Sequence, residues 1–156
     1  MKSCFFIGHH DAKDGIYPAL LSEVELHITQ NGVTNFFVGH YGNFDRMAAT
    51  AVKEVKVRHP DVQLMLVLPY HPAIRPIETP DGFDGTYYPW EDERIPKRLA
   101  IVKTNQRMVD TCDYLIAYAW HHLGGSGQIV EYARKQEKRG SIHVENLAEK
   151  FRENAL

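Results

Sequence analysis

Residues 114–119, Tyr114-Leu115-Ile116-Ala117-Tyr118-Ala119, form an apolar run followed shortly by Gly124-Gly125-Ser126-Gly127 and then by an amphipathic stretch reaching to about Arg139. A short apolar run suits a buried strand, and apolar residues recurring every three or four positions suit a helix. Strand, glycine-rich turn and helix in that order are a fragment of a βα-alternating chain.

Working outward, the same alternation recurs. Lys2 to Ile7 reads as a strand closed by Gly8, and Tyr17, Leu20, Leu21, Val24 and Ile28 then paint one face of a helix. Pro18 suits that helix's first turn and Asn31-Gly32 its end. Val33 to Val38 is a second strand. Asn43 is placed to cap a helix with the stripe Phe44, Ala48, Ala51, Val52 and Val55, which Pro60 stops. Val62 to Leu68 is a third strand, Arg98 to Thr111 contains a helix, and Ser141 to Val144 is a last strand before Asn146, which can cap a short terminal helix.

The expected class is therefore α/β: one Rossmann-like domain spanning 1–156, with a mainly parallel sheet flanked by helices and right-handed crossovers. If the first three strands wind one way and the later ones the other, the runs 2–7 and 114–119 become neighbours at a topological switch point. Gly8-His9-His10 would then lie beside the glycine-rich loop. From 69 to about 96 the pattern gives way to Pro, Gly, Asp and Tyr, a stretch too long for an ordinary connection. Tyr87, Tyr88 and Trp90 argue for a folded excursion covering one edge of a site, since aromatic residues are scarce in disordered segments.

The 156 residues suit a single domain, and 44% hydrophobic with 24% charged residues is enough for a packed core. A net charge of −2 offers no global attraction to nucleic acid or anionic lipid. No run approaches the roughly 18–20 apolar residues of a membrane span, and the first residues lack a signal peptide's pattern, so a cytoplasmic protein is expected. Cys4 and Cys112 share no metal-ligand or redox spacing and read as reduced core residues. No cofactor is indicated, and a homo-oligomer is compatible with the composition.

The loop Gly124-Gly125-Ser126-Gly127 has the physics of a phosphate cradle. Its glycines let a ligand approach the backbone, and the helix it opens, with Ser126 placed to cap it, offers unpaired N–H groups and positive potential. Glycines also make tight turns for steric reasons alone. Glu131 lies one turn on, opposite the apolar side, and either takes part in chemistry or forms a surface pair with Lys135. Six of nine histidines (His9, His10, His40, His71, His121, His122) follow predicted strands. With Asp11 or Asp45 they suggest a Zn²⁺ site, but no pair has zinc-motif spacing, so hydrogen bonding to phosphate, sugar or loop backbone is the preferred role. Asp45 either complements its helix dipole or meets ribose hydroxyls. Arg107 faces either the site or solvent.

Together these motifs resemble the SLOG superfamily, a Rossmann-like group that includes Smf/DprA proteins and LOG phosphoribohydrolases. The resemblance spans most of the chain. Ser3-Cys4-Phe5-Phe6-Ile7-Gly8-His9 is similar to the opening strand and G-H loop of small bacterial YpsA-related members, which often carry Arg where His10 stands. Gly39-His40-Tyr41-Gly42-Asn43-Phe44-Asp45 resembles the family's second glycine-rich turn, and Asn105-Gln106-Arg107-Met108-Val109-Asp110 with Asp113-Tyr114-Leu115-Ile116-Ala117 its R-N-x-x-M-V-D and D-x-L-I-A segments. Gly124 to Gly127 and Glu131 fit the LOG pattern G-G-x-G-T-x-x-E, with Gln128 in place of threonine. Aligning on Met108 leaves Thr104 and Asn105 near the place of the LOG catalytic arginine.

The resemblance implies a nucleotide-type ligand contacting Gly8, His9, His10, Gly39, Asn43, Asp45, Asn105, Arg107 and the loop from Gly124 to Gly127. Binding or sensing of a nucleotide-derived small molecule is the leading expectation. One alternative is hydrolysis of the N-glycosidic bond of a nucleoside monophosphate, which requires Glu131 to face the pocket and stabilise charge on the sugar or move a proton. Another is a protein-interaction platform built on the exposed aromatics of the excursion.

Overall fold

The computed structural model describes residues 1–91, 95–120 and 124–151. Their strands are β1 (Lys2–Gly8), β2 (Val33–Val38), β3 (Gln63–Val67), β4 (Gly85–Tyr87), β5 (Tyr114–Tyr118) and β6 (His143–Asn146). The helices longer than one turn are α1 (Tyr17–Thr29), α2 (Asn43–Lys56), α3 (Ala100–Thr111) and α4 (Gly125–Lys138). The strands form one sheet in the order β4-β3-β2-β1-β5-β6, and every pairing is parallel. The Rossmann-like α/β class expected from the alternation is the one found.

Successive residues of β1 point to opposite faces and both faces are covered along Cys4–Ile7, which is why those four positions are all apolar. Cys4 and Phe6 pack with Leu20, Val24, Ala48 and Val52 under α1 and α2. Phe5 and Ile7 pack with Met108, Val109, Ile129 and Ala133 under α3 and α4. The two cysteines are free and buried, one in each layer, and burial raises both thiols, that of Cys112 to about 12, so neither is a thiolate at neutral pH.

Chain order reverses between β1 and β5, which pair from Cys4 with Tyr114 to Gly8 with Tyr118. This switch point opens a crevice beyond the carboxyl ends of both strands, where helix N-termini converge.

Three expectations are corrected. The excursion contributes β4, a strand of three residues with no apolar period of its own. It is held by Asp84, whose backbone N donates to Leu64 O (2.8 Å) and whose Oδ2 accepts from Leu64 N (2.8 Å) and from Lys56 Nζ (2.5 Å). The last strand lies two residues later than the run 141–144 suggests, because the chain is still turning there: Ser141 N and Oγ both donate to Gln136 O. Gly42, not Asn43, occupies the N-cap of α2. It has φ 152°, and a Cβ there would lie 2.3 Å from His10 Cα, so only glycine fits between the two loops. Asn146 does cap the short final helix, its side chain accepting from Ala148 N.

Candidate functional site

A cleft of about 220 Å³ sits at the switch point. Gly8 and His10 line it from the end of β1, Gly39, Tyr41 and Asp45 from the β2–α2 turn, Thr104 and Asn105 from α3, and Gly125 and Ser126 from α4. Segments far apart in sequence thus meet on the same side of the sheet: those at β1, β2 and α4 follow a strand or open a helix, and α3 contributes from its second turn.

The floor is set by two packing constraints. A Cβ on Gly8 would lie 2.3 Å from Phe44 Cγ, so the glycine admits the fully buried Phe44 ring. Gly8 O then accepts a hydrogen bond from Ser126 Oγ at 2.8 Å, tying the end of β1 to the first turn of α4. Ser126 is therefore not the cap of α4. That position belongs to Gly124, in extended conformation and without a side-chain acceptor.

Helix geometry leaves the first N–H groups of α4 without intrahelical acceptors, and the macrodipole adds positive potential. Gly124 and Gly125 have ordinary negative-φ backbones, and among the described residues a Cβ on either would meet nothing within 4 Å. Among the described residues, neither packing nor backbone conformation calls for glycine here. The steric alternative considered from sequence thus does not account for these two.

Asp45 is the second feature. It is 9% exposed and accepts from Tyr41 N at 3.1 Å through Oδ2. Burial raises its carboxyl to about 6 against an ordinary value of 3.8, with the Tyr41 N–H pulling the other way. Asp45 and Gly39 also line a larger cavity of about 640 Å³ between α2 and the excursion, walled by Leu66, Ile77 and Phe83. Tyr41 bridges toward the excursion: burial and then Tyr70 push its phenol up to about 12, with Arg75 opposing.

Other sequence candidates have different positions. His9 is buried and works as a pin: its N donates to Tyr118 O (3.1 Å), and its Nε2 accepts from Trp120 N (3.0 Å). Asn43 lines the larger cavity, not the central cleft, and its side chain is committed to Ala12 O (2.5 Å), Asp14 and Arg46. Arg107 is exposed, its guanidinium 5.4 Å from the centroid of the Trp90 ring. Gly127 and Glu131 line a separate groove beside Trp120 with Arg134, Lys135 and Lys138, so Glu131 is not brought into the central cleft. The N-glycosidic hydrolase reading places its acid in the cleft, whereas Glu131 lines this neighbouring groove.

Thr104, Tyr41 and Pro69 line the cleft without having been singled out. The signals for the first two were adjacency to Asn105 and a place inside the Gly39–Asp45 motif. The aromatics of the excursion divide: Tyr87 is 37% exposed, whereas Trp90 is held by its Nε1 donating to Thr104 Oγ1 at 3.1 Å.

Among the described residues no group of three or more His, Cys, Asp or Glu side chains is placed to hold a metal ion. His40 is stacked on Tyr41 and His71 accepts from Ala73 N, while His121 and His122 lie outside the described residues. No described helix is long and apolar enough to cross a membrane. Comparison of the chain with known protein families and with curated proteins finds no match.

Proposed function

We propose that this protein binds a nucleotide or nucleotide-derived small molecule at the switch-point cleft. The observation that carries this reading is the N-terminus of α4, where Gly125 lines the cleft and no described residue packs closely enough to require a glycine. A phosphate there accepts hydrogen bonds from the first N–H groups of the helix and sits at its positive end.

The cleft's 220 Å³ is small beside the roughly 300–1,000 Å³ of pockets that hold drug-sized ligands, so most of a nucleotide must extend beyond it. The buried carboxylate of Asp45 suits a ribose hydroxyl, and the apolar walls of the cavity behind it suit a base. The resemblance of the Gly8, Gly39–Asp45 and Asn105–Asp110 segments to SLOG proteins supports the same ligand class, and with it a bacterial cytoplasmic binding or sensing protein.

Calorimetry with AMP, GMP, CMP and UMP tests the reading. At least one should bind with a Kd below the millimolar range, and it should compete with inorganic phosphate. Absence of heat for all four at millimolar concentration would count against the proposal.

A further inference from the structure

The excursion encloses a second cavity of about 520 Å³ that the preceding reading leaves unused. Tyr70 and Tyr88 supply ring faces, and Arg75, Lys97 and His71 supply donors, with Glu91 the single carboxylate among the described lining residues. Arg75 lies 4.4 Å from the centroid of the Tyr70 ring, and the His71 and Tyr88 rings meet edge to face at 5.2 Å. His71 Nδ1 accepts from Ala73 N at 3.0 Å, so in the neutral ring the proton sits on Nε2 as a donor. Among the described residues neither Arg75 nor Lys97 forms an ion pair with a carboxylate.

This cavity adjoins the central cleft. Pro69 lines both, and a space of about 20 Å³ bordered by Tyr41, Pro69, Tyr70 and Arg75 lies between them. Two cations with no carboxylate partner among the described residues, beside aromatic rings, recognise a ring that carries or adjoins negative charge.

We propose that the cavity of Tyr70, Arg75, Tyr88 and Lys97 is a second subsite for the far end of a diphosphate-bridged ligand, a nucleotide whose phosphate chain continues into a second ring. The inference rests on the first phosphate lying at α4. The chain of cavities then runs from base to ribose to phosphates to second ring, with Pro69 at the bend.

The test is calorimetry of each nucleoside monophosphate beside the corresponding nucleoside diphosphate sugar: ADP-glucose, GDP-mannose, CDP-glucose and UDP-glucose. For the preferred base, the diphosphate sugar should bind about tenfold tighter or more, the worth of one charge-assisted hydrogen bond. Lys97→Ala and Arg75→Ala should each remove most of that excess and leave the monophosphate within about twofold, since neither side chain lines the central cleft. Having two separate surface substitutions keeps the test alive if one of them folds poorly.

Equal affinity of the two ligands for the unaltered protein, or an equal loss for both in the variants, overturns the second subsite and leaves the nucleotide reading standing. Failure of both ligands to bind overturns the two together.

Discussion

Replacing Gly125 with aspartate should weaken nucleotide binding about a hundredfold or more while leaving the fold intact. The position is exposed, opens α4, and has no described atom within 4 Å of where a Cβ would go. A carboxylate in a helix's first turn is favourable by about 0.3–1 kcal/mol, so the melting temperature should hold or rise slightly. The same carboxylate competes for the N–H groups that a phosphate needs and repels its charge, a penalty of about 3 kcal/mol in a partly desolvated cleft. Ser126 would be a poorer choice, because its hydroxyl donates to Gly8 O and an aspartate there would set charge against that carbonyl. Calorimetry and a thermal melt on one preparation suffice. Undiminished affinity at an unchanged melting temperature would mean the loop is structural.

Asp45→Asn should raise stability, and by an amount that grows with pH. Folded, Asp45 keeps its proton up to about pH 6; unfolded, it loses it near its ordinary value of 3.8. Below the lower value both states are protonated and the group contributes nothing. As pH rises through this window the unfolded state ionises first, so the native state is progressively disfavoured, and above pH 6 the penalty is complete at about 3 kcal/mol. Asparagine carries no such charge and can still accept from Tyr41 N. The variant should therefore be more stable than the parent by up to about 3 kcal/mol at pH 7.5, with the gain fading toward pH 4. It should also bind nucleotide about tenfold more weakly, having lost a charged acceptor for the ribose. Denaturant titrations at the two pH values check the first part, and equal stability of parent and variant at both would show that burial does not tax this carboxylate. A residue that weakens the fold while lining two cavities is what a binding role predicts.

How much of this was legible in the sequence follows from what each segment's surroundings imposed on it. Strands β1, β2, β3 and β5 could be read because central parallel strands, covered on both faces, are apolar over most of their length. Strand β4 could not, because Gly85-Thr86-Tyr87 is too short to show a period, and its pairing is set by Asp84, a side-chain anchor that leaves no pattern. In the site, Gly8, His10, Gly39, Asp45, Gly125 and Ser126 meet at one cleft, as their common place after strands or at helix starts suggested, and Asn105, singled out only by the resemblance, joins them from within α3. Asn43 was read as a cap, but the adjoining loop's carbonyl and carboxylate needed its amide donors. Glu131 followed the LOG spacing, but one turn along α4 carries it to the side of Trp120. The cavity around Arg75 was invisible because the excursion has no periodicity from which side-chain direction can be inferred.

The most direct test of the central claim is an amide-resolved NMR titration of the ¹⁵N-labelled protein with AMP, GMP, CMP and UMP. The account predicts that the backbone amides of Gly125, Ser126 and Gly127 move furthest, with Gly8 and Gly39 moving in step and all saturating at one affinity. Saturable shifts confined to the Trp120 groove around Glu131 and Lys135, with the Gly125–Gly127 amides unmoved, would contradict it.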